Sequence, residues 1–205
     1  LNIPLIDIGS LCHSDKCLET YALLGYRAAC IHGLKHKIIR KDGFIAVRKS
    51  IVHGERQKEL KNIIKEEKKY SFIISVTPLS IEASRFAARD GRVDTVVLAP
   101  ESIRYIDKTE ITMLKRFSKP LEIPINILMS QPPSIKAMIL RRIDLALKYS
   151  VPIILSSGAE EWNEILPPIS FIALGSIILN NLMKEVMVML TNYTRELMAK
   201  NGVHI

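Results

Sequence analysis

The stretch SFIISVTPLSIEASRFAARDGRVDTVVL, residues 71–98, carries the pattern that decides the fold. Ser71–Val76 is a nearly continuous apolar, β-rich run. Strands buried on both faces look like this, as in a parallel sheet covered by helices. Thr77–Pro78 then offers an N-cap and a first-turn proline. In the helix that follows, Leu79, Ala83, Phe86 and Ala87 share one face, and Glu82, Arg85 and Arg89 another. Gly91 reads as the helix stop, and Asp94–Leu98 as the next strand.

The same alternation runs outward in both directions. Further strand candidates are Pro4–Ile8, Arg27–Ile31, Phe44–Val52, Ile123–Met129 and Val151–Leu155, seven in all with the two above. Arg48 and Lys49 interrupt Phe44–Val52, which therefore reads as an edge strand or as paired with its neighbour. Glu55 to Lys69 predicts a charged peripheral helix anchored by Leu60, Ile63 and Ile64. Pro132-Pro133-Ser134 opens a stronger helix, with Ile135, Met138, Ile139, Ile143 and Ala146 as its buried stripe. Met183 to Lys200 predicts a closing helix through Val186, Met187, Leu190 and Leu197. Repeated strand-helix alternation means an α/β fold, either a TIM-barrel-like (β/α) barrel of about seven strands or a doubly wound sheet. No internal repeat or linker interrupts it, so residues 1–205 read as one domain.

The net charge is +8 and the pI about 9.4, which points to a polyanionic partner, nucleic acid or an anionic membrane surface. No stretch reaches the roughly 18 apolar residues that span a bilayer. The longest apolar run, Ile169 to Leu182, carries Ser170, Gly175, Ser176, Asn180 and Asn181 and reads as a buried helix. The N-terminus shows no basic segment followed by a long apolar run, so no secretory signal is expected. Cys12, Cys17 and Cys30 are too few for a disulfide framework, and a reducing cytoplasm is the expected setting. The abundance of Lys and Glu fits a thermophilic archaeon.

Barrel enzymes place their chemistry at the C-terminal ends of strands. The spacing of Cys12, His13, Cys17, Cys30 and His32 matches no zinc-ligand pattern, and Cys30 sits in an apolar run as a core residue would. No G-x-S-x-G and no phosphate-binding glycine loop occurs. Asp7 closes a buried first strand. It has no second carboxylate or His placed to work with it, so hydrogen bonding to the backbone of the barrel mouth is the expected role. The basic residues are more informative: Arg85, Arg89, Arg92, Arg104, Lys136, Arg141 and Arg142 lie on the central helices and their connections. Lys115, Arg116 and Lys119 add to them. For any single cation a solvated helix face is the bland explanation. Arg85 and Arg89, however, are like charges at i, i+4, an arrangement that favours a nearby anion, or Glu82 as neutraliser. Aromatics make up only 6%, so phosphate and shape recognition of a folded RNA fits better than base stacking as the main term.

The C-terminal third carries a recognisable signature. Leu155-Ser156-Ser157-Gly158-Ala159-Glu160-Glu161-Trp162 is followed by Pro167-Pro168 and then Ile172-Ala173-Leu174-Gly175. This resembles the ribonuclease P protein component 3 family, in which a strand ends in Ser-Ser-Ala and Glu, before a Pro-containing loop and a helix with Leu-Gly. The likeness runs from about Pro4 to about Leu190. Gly158 stands where the family has Ala, and the basic loop Gly33 to Gly43 has no counterpart. The family in turn resembles the metal-dependent PHP phosphoesterase barrels, whose first strand carries His-x-His. Here that position reads Asp7-Ile8-Gly9, which implies a PHP-like barrel without the metal site. The resemblance implies a subunit of the ribonucleoprotein that removes 5′ leaders from tRNA precursors, with the RNA using Mg2+ for the chemistry and no catalytic residue or cofactor on this chain. It further implies the ribonuclease P RNA, pre-tRNA and a small Pop5-type subunit as partners. Ser156, Ser157, Glu160 and Gly175 would then be structural, holding the barrel end. The alternatives are a PHP-like phosphoesterase acting on a small phosphorylated molecule, and a protein-interaction scaffold with a solvated basic face.

Overall fold

The computed structural model describes residues 5–41, 43–181 and 183–204; Pro4 and Leu182, named in the sequence reading, lie outside them. In chain order the elements are β1 (Ile6–Ser10), α1 (Asp15–Leu23), β2 (Ala28–His32), β3 (Ile38–Lys41), β4 (Phe44–Gly54), α2 (Gln57–Glu67), β5 (Ile73–Pro78), α3 (Ile81–Arg89) and β6 (Thr95–Val97). They continue with α4 (Lys108–Arg116), β7 (Leu121–Pro124), α5 (Ile125–Ser130), α6 (Pro133–Lys148), β8 (Ile153–Ser156), α7 (Pro168–Leu179) and α8 (Met183–Lys200). The strands neighbour one another as β1-β2-β4-β5-β6-β7-β8, all parallel. This is a TIM-barrel-like α/β fold of seven parallel strands.

The ring is nearly closed. At the C-terminal ends of β1 and β8, Gly158 N donates to Gly9 O at 2.8 Å, and Leu11 N and Cys12 N donate to Ala159 O at 2.8 and 2.9 Å. At the other end α8 fills the gap. Its Leu197 and Met198, with Val203 beyond it, pack against Ile6, Ile8, Ala28, Cys30 and Ile154 inside the barrel. Alternate strand residues serve two layers, as the period of two requires. On β4, Ile45 and Val47 face this interior, while Phe44 and Ala46 join the layer between strands and helices.

Several expectations shift, each for a local reason. β3 lies in the basic loop and pairs antiparallel with the first half of β4, a strand the sequence reading did not anticipate. Of the two readings of β4, pairing with its neighbours holds and the edge does not: β2 runs along one side, and β3 then β5 along the other. The expected strand Ile123–Met129 begins earlier, at Leu121, and turns helical at Ile125. Before α3, β5 continues through Pro78, and Ser80, accepting from Ala83 N at 3.0 Å, is the cap. Pro133 does open α6, whose Ile139, Ile143 and Ala146 are buried, whereas Met138 is exposed. On α2 only Leu60 and Ile64 are buried. At about 1.5–3 kcal/mol each, those two side chains hold an otherwise charged helix to the barrel. No single helix among the described residues is long and apolar enough to cross a membrane.

Gly175 of α7 shows why the Leu-Gly of the signature matters. A Cβ there would sit 2.6 Å from Leu155 Cδ1 of β8 and 2.9 Å from Val186 Cγ1 of α8. Gly175→Val should therefore lower the unfolding free energy by about 2–3 kcal/mol through overpacking, read by urea titration. A loss under about 0.5 kcal/mol would mean that the helix does not approach the barrel so closely.

Candidate nucleic-acid interface

The two ends of the barrel have different chemistry. The mouth, at the C-terminal ends of the strands, contains a cavity of about 130 Å³ bounded by His32, His53, Thr77, Glu101, Glu122 and Ser156 among others. Its floor is a buried ion pair. Lys49 Nζ of β4, fully buried, donates to Glu122 Oε1 of β7 at 2.5 Å and to Ile8 O at 2.8 Å. Thr95 and Ser75 donate to Glu122 Oε2 at 2.6 and 2.9 Å. Burial alone would raise the Glu122 carboxyl. Lys49 and the two hydroxyls outweigh it and hold the pKa below the ordinary value. Gly9 of β1 makes room for this pair, since a Cβ there would stand 2.5 Å from Glu122 Oε1. Sequence reasoning missed both charges. The available signal was phase: Lys49 shares the inward face with Ile45 and Val47, four and two residues before it.

Asp7 does what the sequence reading expected of it. It points outward from β1, where Oδ1 accepts from Ser157 N at 2.9 Å and Gly9 N at 3.1 Å, and Oδ2 accepts from the Tyr21 hydroxyl of α1. Tyr21 in turn stacks on Phe44 and meets Tyr26 edge-on. The carboxylate thus joins β1, β8 and α1 at the closure. Of the signature residues, Ser157 Oγ accepts from Ala159 N at 3.1 Å, and Ser156 Oγ faces the mouth without a partner. Glu160 is exposed, and its backbone N–H is held by Glu164 Oε2 at 2.8 Å. Glu161 and Glu164 form the reciprocal cap of the short turn Trp162–Glu164, so Glu164 takes the holding role assigned to Glu160. Gly158 adopts φ +63°, a conformation the family's Ala would resist.

The cysteines and histidines do not converge. Cys12 and Cys17 are paired as a disulfide across the turn that opens α1, their Cα atoms 6.0 Å apart, where the sequence reading expected unpaired thiols. Ser14 caps that helix, and the turn folds the fifth residue back toward Cys12. Cys30 lies inside the barrel against Met198, and burial pushes its thiol up. His32 Nδ1 accepts from Ile51 N at 3.1 Å. Burial, then Lys49, lowers its pKa, so the ring is neutral with Nε2 carrying the proton.

The basic residues sort by what already occupies them. Arg85 is committed: its guanidinium binds Asp107 at 2.8 Å and Glu110 at 2.7 Å, so the anion that its spacing with Arg89 called for is internal to the protein. Arg92 pairs with Asp90 at 2.7 Å. Lys119 is buried and donates to Asp90 O and Val93 O, tying two loops together. Among the described residues, Arg89, Arg104, Lys136, Arg141 and Arg142 have no carboxylate at ion-pair distance, and Arg142 Nε is buried without a partner. These five do not form one patch. Arg104 and Lys136 belong to the mouth end, Arg89 to the opposite end, and Arg141 and Arg142 to the middle of α6.

No family model matches the chain. Among curated proteins it is 27% identical over 187 residues to the ribonuclease P protein component 3 of Aeropyrum pernix, covering 85% of this chain and 87% of that protein. Among solved structures it superimposes with a TM-score of 0.76 on a chain of an archaeal ribonuclease P with mature tRNA, at 14% identity, over 96% of this chain and 90% of that one. A prolidase bound to N-methylphosphonate-L-proline shares the fold more loosely, with a TM-score of 0.62 at 8% identity, over 96% of this chain and 74% of the other. The barrel, its Ser-Ser strand end and Leu-Gly helix, and this sequence likeness along most of both chains make the chain similar throughout to ribonuclease P protein component 3.

Proposed function

We propose that this chain is a protein subunit of a ribonuclease P particle, where it steadies the RNA through phosphate contacts while the RNA, with Mg2+, cleaves the 5′ leader from pre-tRNA. The observation that carries this reading is the likeness to component 3 over 187 residues. The unpaired Arg89, Arg104, Lys136, Arg141 and Arg142 supply the cationic contacts, whereas Arg85 and Arg92 keep their internal carboxylates. A small Pop5-type protein is the expected neighbour in the particle. The hydrolase alternative needs donors at the mouth end of β1, where the chain offers Gly9 inward and an Asp7 already turned to the backbone.

Pre-tRNA cleavage reconstituted from the cognate RNA and partner proteins should slow by tenfold or more when this chain is left out at limiting Mg2+. Equal rates with and without it would defeat the proposal. Arg89→Glu with Arg141→Glu should weaken RNA binding and flatten the slope of log K against log salt by roughly 1.5, at about 0.7–0.9 for each phosphate that is no longer neutralised. An unchanged slope would remove these two residues from the interface.

A further inference from the structure

In a (β/α) barrel every helix after a strand ends at the face opposite the mouth, and cations gather there in this chain. Lys69 follows α2, Arg89 ends α3, Arg116 ends α4, Lys119 follows it, Lys148 ends α6 and Lys200 ends α8. The mouth end mixes Glu101, Glu160, Glu161 and Glu164 with Arg104 and Lys136. Cations in a last helical turn also complement the helix dipole, so their position alone implies no ligand. The cavity among them adds what the charges lack.

That cavity, about 360 Å³, is bounded by the α4–β7 connection and by α8, and Phe117, Lys119, Tyr193 and Lys200 line it. Its size falls within the range of ligand pockets, about 300–1,000 Å³. Four aromatic side chains are exposed among the described residues, and two of them, Phe117 and Tyr193, stand here. Tyr70 and Trp162 carry Arg48 and Lys16 over their rings, and Phe117 carries Arg116 at 5.6 Å, which adds a further cation beside the cavity. Lys119 Nζ has two carbonyl partners and a third N–H to give. Burial, then Lys200, pushes its pKa down to about 8, a strain that an anion would relieve. Of the acidic residues at the cavity, Asp94 is already held by Ile74 N, Lys68 and Asn201, while Glu196 stands exposed at the rim, able to accept from a base N–H.

We propose that this cavity receives one unstacked nucleotide of an RNA: Phe117 and Tyr193 stack its base, and Lys119 and Lys200 hold its phosphate. The inference rests on the RNA-binding reading above and adds a single-strand subsite to it. Stacking on aromatic rings and charge neutralisation at phosphates are the two terms by which unpaired nucleotides are bound.

The test uses the full chain with two fluorescent probes, an oligouridine and a fully paired RNA hairpin of equal phosphate number. Phe117→Ala with Tyr193→Ala should lower oligouridine affinity roughly tenfold or more and hairpin affinity less than twofold. Lys200→Ala should lower the oligouridine salt slope by roughly 0.7. Photocrosslinking of a 4-thiouridine oligomer should map to Phe117 or Tyr193. These side chains are exposed, so the variants should keep the parent's circular dichroism and melting temperature. Parent-like oligouridine affinity in the double variant, with crosslinks elsewhere, would overturn the subsite and leave the RNA-binding reading intact. Binding of neither probe by the parent chain near 0.15 M salt would overturn both. Crosslinking of Phe117 to a protein subunit in the assembled particle would overturn the subsite in favour of a protein contact.

Discussion

Glu122→Ala is expected to cost about 3–5 kcal/mol of unfolding free energy, a large part of the roughly 5–15 kcal/mol that holds a domain together. The reason is what it leaves behind. Lys49 has no exposed surface, and with Glu122 gone its ammonium keeps only Ile8 O at 2.8 Å, inside a barrel lined by Ile, Val and Ala. Replacing both charges, Lys49→Met with Glu122→Leu, should recover most of the loss, because desolvation of the pair offsets much of its attraction. The pair also predicts a pH response. Folding depresses the Glu122 pKa below the unfolded value of roughly 4.3. Its contribution is therefore full above that value and fades as the pH falls through it toward the lower folded pKa. Urea titrations at pH 7 and pH 3.5 should show the parent losing more stability on acidification than the double variant does. Equal losses, or a single variant within 1 kcal/mol of the parent, would mean that the two charges are not sealed together as the geometry has them.

This pair also marks where the sequence stops being legible. Alternation of apolar runs and capped helices marked the strands and the barrel-like class, because a parallel barrel buries both faces of most strands. β5 and β6 with α3 between them follow from residues 71–98 almost unaided. The failures occur where a charge is buried. Arg48 and Lys49 left β4 readable as an edge or as paired with its neighbour, and Glu122 pushed the expected β7 two residues too far along, into what is helix α5. Each reads as a surface residue until its partner, 73 positions away, is brought opposite it. The basic set failed in the converse way. Arg85 looked available for an external anion because Asp107 and Glu110 are more than twenty residues downstream. Nothing in one-dimensional spacing separates it from Arg89, which stays exposed. The cationic face opposite the mouth is legible only once the topology is known, since its members come from the ends of separate helices.

Asp7 was legible, and its substitution separates a structural carboxylate from a catalytic one. Asp7→Ala should cost about 3 kcal/mol or more: it strips the partner from Ser157 N, Gly9 N and the buried Tyr21 hydroxyl, at about 1–3 kcal/mol for each buried group left unpaired. Asp7→Asn should cost far less, about 1 kcal/mol. The amide oxygen can still accept both backbone N–H groups, and its NH2 can donate to Tyr21 Oη, whose own proton turns to Ser157 Oγ, 3.3 Å away. A carboxylate acting as base, nucleophile or metal ligand would give the opposite ranking in activity, since the amide abolishes all three roles. In reconstituted pre-tRNA cleavage at a temperature where both are folded, Asp7→Asn should therefore match the parent within about twofold. Should the amide abolish cleavage while the protein stays folded and bound to RNA, the closure role would be incomplete and the mouth would have to be reconsidered as a reacting centre. The geometry argues against that outcome. Both carboxylate oxygens are taken up by the seam between the first and last strands, on the side of β1 that faces α1 and away from the cavity where a substrate would sit.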